Sequence, residues 1–504
     1  MKKIVLFIVA FAAWHCPNFA QTTGAVTPTR TVTLSTVPIE VPTKYQAAFS
    51  TARSLQMPSG FKAKVFYAGN LLSKARFMAW SPDSILHIAN KSNGNIVAMP
   101  DRNRDGVADT AFVAANNLVG AHSLQFFRNA LYVALQRQVI KLTDNDGNGI
   151  YETRAVFIDN IAGGAQQPGG GHDTRTIVFD ERNEAMYLSI GSLCNVCRET
   201  ERAVIERYDL NGQNRRIYAT GIRNAVGMTL HPVTNRLWAN VNGSDNQGND
   251  VPPEWIDLVR EGGYYGYPFV HSYQQWFNFN QASDYRALLP ITAVDSALVR
   301  RQIAPAALVQ AHSAQMAMQF SNASFPPQYR NGLWNVYRGS WNRTPPTGYK
   351  LVYLDFDNAH DTTANYVTDV VTGMLETNNT AWARPVGLAL DNRGTLYLGS
   401  DDLTQCVLSI QTNATTVTKE IAQSIDFQVS PNPTRGEMTI EWVAFSTFST
   451  GQVEVFNALG KQVFSAKIEA TRQVFKLPNV PSGVYTCRVT SGNQLGLKKI
   501  MIAQ

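Results

Sequence analysis

Phe77-Met-Ala-Trp-Ser-Pro-Asp-Ser-Ile-Leu-His-Ile88 is the stretch on which the fold turns. An apolar run enters Ser81-Pro-Asp-Ser84, residues that favour a tight turn, and a second apolar run leaves it. The unit returns at Ser123-Leu-Gln-Phe-Phe-Arg-Asn-Ala-Leu-Tyr-Val-Ala134. It returns again at Thr176-Ile-Val-Phe-Asp180 with Met186-Tyr-Leu-Ser-Ile190, and at Val226-Gly-Met-Thr-Leu-His-Pro232 with Leu237-Trp-Ala-Asn240. Met318-Gln-Phe320 with Leu333-Trp-Asn-Val336, and Val386-Gly-Leu-Ala-Leu-Asp-Asn-Arg-Gly-Thr-Leu-Tyr-Leu398, complete six copies. Each reads as a strand, a turn, a second strand bearing an aromatic, and a third strand. Short β units repeating in phase with their turns, with no helical period between them, predict an all-β chain with a six-bladed β-propeller. Its span is 56–411, and residues 61–68 are expected to close the ring beside the last blade. The third to fifth units carry long insertions, and that at 265–310 has no readable code.

Lys2 and Lys3 precede an apolar run from Ile4 to Trp14, which reads as a signal peptide over residues 1–20. Residues 21–55, rich in Thr, Pro and Val, read as a leader. After a polar linker at 412–424, residues 425–504 read as a small C-terminal β-sandwich. No later run is long and apolar enough for a transmembrane segment. A net charge of +6 with scattered Lys and Arg argues against a nucleic-acid partner.

Gln167-Pro-Gly-Gly-Gly-His172-Asp-Thr-Arg175 enters the third unit. Glycines before a histidine allow close backbone approach, and imidazole suits proton abstraction near neutrality. Gly221-Ile-Arg-Asn224 enters the fourth unit, where Arg223 would stabilise negative charge developing on a carbonyl. An inter-blade salt bridge fits Arg223 equally well by spacing. Cys194-Asn-Val-Cys197 lacks a second pair for zinc and a thioredoxin-like context, and Arg198 excludes covalent haem; a disulfide is expected. Asp101–Asp109 and Asp144–Glu152 read first as β turns and second as surface calcium loops.

These motifs, with Gly262-Gly-Tyr-Tyr-Gly-Tyr-Pro268, Gly339-Ser-Trp-Asn-Arg343 and Ala383-Arg-Pro-Val-Gly387, resemble the glucose/sorbosone dehydrogenase family over residues 55–411. The Cys-Asn-Val-Cys feature is like its sorbosone and pyranose dehydrogenase branch. The resemblance implies a propeller that binds pyrroloquinoline quinone and Ca2+ at the channel mouth and passes a hydride from a sugar, polyol or aldehyde to the quinone. It implies His172 as general base and Arg223 as the group polarising the quinone carbonyl. His122, Asn195, Asn224, Arg338 and Arg384 would face the cofactor, with Arg338 where closer relatives have histidine. For the metal it implies the loop carrying Asn242, Gly243 and Asp245, together with Glu254; Ser244 stands where relatives have arginine.

Ser430-Pro-Asn-Pro433, Asn457-Ala-Leu-Gly460, Gly483-Val-Tyr485 and the basic Lys498-Lys499 tail resemble the sorting domain of type IX secretion substrates. This implies the type IX machinery as partner and a secreted or outer-surface location reached through the periplasm. With no haem module, electrons would leave to an external acceptor. The alternatives are a carbohydrate-binding or adhesion propeller without catalysis, and a calcium-dependent lactonase-type hydrolase.

Overall fold

A computed structural model describes residues 26–162, 171–412, 423–424, 427–442, 451–457, 462–491 and 494–503. The signal peptide, with Cys16, lies outside these residues, as do Gln167–Gly170 and most of the linker. The chain divides into two compact units, residues 1–413 and 414–504.

In the first unit, six sheets follow one another along the chain. Each begins with an up-and-down run of antiparallel strands, and the first is Ala75–Trp80, Leu86–Asn90, Asn95–Met99 and Phe112–Ala115. The first strands of the others are Ser123–Phe127, Ile177–Asp180, Ala225–Leu230, Gln315–Phe320 and Ala383–Leu390. Each first strand lies against that of the next sheet, and the sixth returns to the first. The unit is therefore a β-propeller. All six line a central cavity of about 410 Å³, which includes Phe77, Leu124, Ile177, Met228, Met318 and Leu388.

Inner strands that converge on one axis crowd their backbones, and glycine relieves the crowding. A Cβ on Gly227 would sit 2.2 Å from the carbonyl oxygen of Met316 in the next sheet. One on Gly387 would sit 2.4 Å from that of Arg76. Register shifts occur between Ala75 and Met78, Ala225 and Met228, Gln315 and Met318, and Ala383 and Gly387. Such bulges re-aim side chains at a sheet end, and here they fall where four inner strands begin.

Ring closure is a strand pairing. Lys62–Tyr67 pairs antiparallel with Val407–Gln411, joining residues from before the first unit to the last sheet. The described part of the expected leader, residues 26–55, contains strands. Leu34–Glu40 pairs with Ser54–Pro58 and, through Ile39 and Glu40, with Lys62–Tyr67; Thr29–Arg30 edges the fifth sheet against Tyr366–Val371. The polar, Pro-containing composition is that of an edge strand, which has no alternation strong enough to read. Likewise, the complete repeat carries four strands rather than three; outer strands such as Thr153–Ile158 are mostly exposed and lack a readable apolar pattern.

The insertion at 265–310 forms a ribbon, Val270–His271 with Gln275–Trp276, and two helices, Ser283–Arg286 and Ala293–Val299. Thr292 and Asp295 form a reciprocal capping box on the second helix. No helix among the described residues is long and apolar enough to cross a membrane.

The second unit has a five-stranded and a three-stranded sheet. Gly483–Ser491 alternates strictly from Tyr485 onward, burying Tyr485, Cys487 and Val489 with Phe427, Met438, Ile440, Val453, Val455 and Ile500.

Candidate active site

Antiparallel pairing puts the start of each inner strand beside the end of the second strand. Ala75 faces Asn90, Ser123 faces Ala134, Ala225 faces Val241, Gln315 faces Tyr337 and Ala383 faces Leu403. One rim of the ring thereby gathers His122, His172, Arg223, Arg338 and Arg384, which sequence position alone scatters over 263 residues (122 to 384).

His172 is clamped by its main chain. Its N–H donates to the Ser192 carbonyl at 3.0 Å, and its carbonyl accepts from Arg175 at 3.0 Å and Arg202 at 2.8 Å. Nδ1 also lies 3.0 Å from the Ser192 carbonyl oxygen. Ser192 Oγ is also 3.0 Å from Nδ1, but its hydroxyl donates to the Cys194 carbonyl at 2.7 Å; both Ser192 oxygens therefore accept, so Nδ1 carries the proton and Nε2 keeps its lone pair. Burial, then the Arg223, Arg202 and Arg175 charges, lower the imidazole to about 3, against one favourable hydrogen bond donated to the Ser192 carbonyl. His172 is therefore neutral at physiological pH. Gly191 makes room for this packing: a Cβ there would lie 2.5 Å from both the His172 Cβ and the Asn224 Oδ1.

The Arg223 guanidinium is enclosed by oxygens. Nε donates to the Asn195 carbonyl at 3.0 Å and Nη2 to Asn195 Oδ1 at 3.0 Å and Asp245 Oδ2 at 3.4 Å. Nη1 donates to the carbonyls of Asn242, at 3.4 Å, and Gly243. Asn195 thus faces Arg223, and its side chain also accepts from the Asp245 N–H at 2.7 Å and donates to Asp284. Cys194 and Cys197 are joined by a disulfide, which closes the turn presenting Asn195. Tyr285, from the insertion, donates to the Asp245 carbonyl at 2.7 Å and lies 2.6 Å from Ser244 Oγ. Arg198 pairs with Asp295 at the capping box. The insertion therefore braces both loops around Arg223.

The other side is also cationic. Arg384 donates to the carbonyls of Gly339 and Ser340 and lies 5.4 Å from the Tyr349 ring centroid. Its buried Nε has no hydrogen-bond partner among the described residues, nor is any of their carboxylates within ion-pair distance. Burial, foremost, and the Arg338 charge depress its pKa. Arg338 instead binds Asp401, at 2.9 and 3.1 Å, and Arg76 binds the same carboxylate at 2.6 Å. Arg76 Nε donates to His122 Nδ1 at 3.0 Å, so His122 carries its proton on Nε2. Burial holds His122 neutral, well below its usual range.

Two expectations for the metal loop meet different chemistry. The Asn242 and Gly243 carbonyls and Asp245 face Arg223, and Asp245 also accepts from Asn342 at 2.6 Å. Glu254 is buried and accepts from the N–H groups of Ala314 and Gln315 at 3.1 and 3.3 Å; burial raises it to about 8. Of the acidic turns, Asp144, Asp146 and Glu152 cluster closely enough to hold an ion, while Asp101 and Asp109 accept main-chain N–H groups of their own turn. Sequence reasoning missed Arg76, Arg202 and Asp401. Arg202 lies 30 residues from the histidine it supports (202 − 172), with no local motif to mark it. Arg175 stood inside the quoted motif, yet only the fold shows its guanidinium holding the His172 carbonyl.

Comparison with known proteins places this site in a family. A curated protein of Borreliella burgdorferi with no assigned function is 27% identical over 365 residues, covering 70% of this chain and 90% of that protein. A pyrroloquinoline quinone-dependent pyranose dehydrogenase of Coprinopsis cinerea is 25% identical over 295 residues, 46% of this chain and 38% of that protein. Two solved structures share the fold, each with a TM-score of 0.59: the Trichoderma reesei carbohydrate-active enzyme of family AA12 in its calcium form, and the holo PQQ domain of the Coprinopsis cinerea pyranose dehydrogenase. The first is 19% identical and covers 70% of this chain and 96% of that one; the second is 18% identical and covers 74% and 98%. Residues 428–503 match the secretion system C-terminal sorting domain. Residues 55–412 match the TrAA12-like family model, and the chain belongs to that family.

Proposed function

We propose that this chain is an exported quinoprotein that oxidises a sugar, polyol or aldehyde, using a six-bladed propeller and a C-terminal sorting sandwich that directs type IX export to the cell surface or medium. The observation that carries the reading is a buried, cationic rim. It holds a neutral histidine with its Nε2 lone pair available, and an arginine whose Nε has no partner among the described residues. Pyrroloquinoline quinone is an anion, and Arg384 offers it a charge that no described carboxylate neutralises. The family membership and the pyranose dehydrogenase relative support the same chemistry.

When bound, the quinone supplies an acceptor for a hydride. His172 Nε2 takes the proton of the substrate hydroxyl, and the Ser192 carbonyl holds Nδ1–H so that the ring cannot present the wrong nitrogen. An imidazole lowered to about 3 is too weak a base to ionise a hydroxyl beforehand, so proton transfer accompanies departure of the hydride. Arg223 acts through its charge, because its N–H groups are directed at protein oxygens. Arg384 would hold the quinone's carboxylates, while Asp401 restrains Arg338 from that task. An external acceptor would be needed to take the electrons onward.

A lactonase-type reading needs converging carboxylates on a metal, whereas Asp245 is matched by Arg223 and Glu254 faces main-chain amides. The test is an absorbance titration of the purified full chain with the quinone, followed by dye reduction across aldoses and aldehydes. Saturable binding with turnover is expected. No binding would overturn the proposal, and binding without turnover would identify a propeller that has lost catalysis.

A further inference from the structure

Five oxygens from two loops converge on one cation, and that cation belongs to the protein. They are the Asn195 carbonyl and Oδ1, the carbonyls of Asn242 and Gly243, and Asp245 Oδ2, all directed at the Arg223 guanidinium. Oxygen sets of this kind, with one carboxylate among carbonyls, are also what a hard divalent cation selects. We propose that Arg223 is a built-in replacement for that ion: its guanidinium excludes calcium from this cage, and the rim binds its quinone without a divalent metal. The second half rests on the function proposed above; the first does not.

The reasoning is geometric. A guanidinium is planar and permanently charged, and it cannot be displaced by deprotonation. Here it is almost wholly buried, and leaving would take a donor from each of five acceptors, of which, among the described residues, only Asn195 Oδ1 keeps another, the Asp245 N–H. The cage cannot readily open around it. Asn195 is held in the disulfide-closed turn and by Asp284. Asp245 is held by Asn342 and, at its carbonyl, by Tyr285. The Gly243 backbone packs on Pro252, whose Cγ would lie 2.8 Å from an added Cβ. Glu254, the other carboxylate expected of the metal set, is committed to the Ala314 and Gln315 amides. A divalent ion would therefore meet one carboxylate already matched by a fixed positive charge.

The test uses the full chain carrying Asp101→Asn, Asp144→Asn and Asp146→Asn, which removes the acidic surface turns as competing sites. Calcium is titrated calorimetrically into this protein without quinone. No binding below millimolar concentration is expected, whereas adding Arg223→Met should create one site at least ten-fold tighter. A sub-millimolar site with Arg223 present overturns the inference whatever the variant does. A folded Arg223→Met protein that gains no site overturns the claim that the guanidinium excludes the ion; Arg223→Gln serves if the methionine variant does not fold. Quinone affinity of the parent chain, read by absorbance, should change less than two-fold between calcium and chelator, and a ten-fold dependence refutes metal-free binding. If the quinone does not bind in either condition, the proposed function fails while the calcium titration still decides the role of Arg223.

Discussion

Gly191→Ala is the smallest change that reaches His172. The added methyl would sit 2.5 Å from the His172 Cβ and 2.5 Å from Asn224 Oδ1, so ordinary contact at about 3.4 Å requires a movement of about 1 Å. Asn224 can rotate its amide away. His172 cannot retreat, because Ser192 holds its N–H while Arg175 and Arg202 hold its carbonyl. Overpacking of this kind costs about 1–3 kcal/mol, and a misplacement of about 1 Å at a reacting group costs on the order of a hundredfold in rate. Denaturant unfolding should therefore show a loss of about 1–3 kcal/mol, with a much larger fall in kcat for dye reduction than in quinone affinity. Gly399→Ala is the control, since its Cβ would meet only ordinary contacts, the closest 3.5 Å away at Ile88. If Gly191→Ala behaves like that control in both assays, His172 is not held as described.

Asp401→Asn leaves buried Arg76 without its carboxylate and half-buried Arg338 with only Asp402, and should cost about 3–5 kcal/mol in urea unfolding; a loss below about 1 kcal/mol would show the pairing to be dispensable. His87, His172 and His271 are lowered by burial to about 4, 3 and 4. Because the unfolded chain takes up these protons below pH 6.5 while the folded chain does not, stability should fall from pH 6.5 toward pH 4, by about 1–2 kcal/mol per histidine at pH 5. Flat unfolding midpoints across that range would contradict the assignment of neutral imidazoles. Reducing Cys194–Cys197 opens a loop so short that at most about 2 kcal/mol of chain entropy is at stake. Quinone affinity should fall more than global stability, because Asn195 loses its hold on Arg223; unchanged affinity in dithiothreitol would refute that link.

The repeat was legible because its turns recur in phase with apolar runs, and strand spacing is a local property. The strands within residues 26–55 were not. Leu34–Glu40 and Ser54–Pro58 form strands only because Lys62–Tyr67 supplies an edge, and that template is invisible to a window of sequence. At the site, His172 stood out behind its run of glycines and Arg223 at the entry to a repeat unit, while Arg384 was marked by the resemblance of its motif to the family. Their partners did not. Asp401 lies at the far end of a second strand, and its bond to Arg76 spans 325 residues. Arg338 could be read as a cofactor ligand from its motif, while its engagement by Asp401 depends on two sheets meeting. The metal loop shows the same limit: its oxygens are evident in the sequence, but only the pairing of Ala225–Leu230 with Leu237–Val241 brings Arg223 to face them.

Anaerobic mixing of the quinone-loaded chain with an aldose tests the central claim most directly. The bound quinone's absorbance should change to that of its reduced form in a single turnover with the wild-type chain. His172→Ala should bind the quinone comparably and show that change at least a hundredfold more slowly. Equal rates in the two proteins would remove His172 as the base and with it the proposed mechanism.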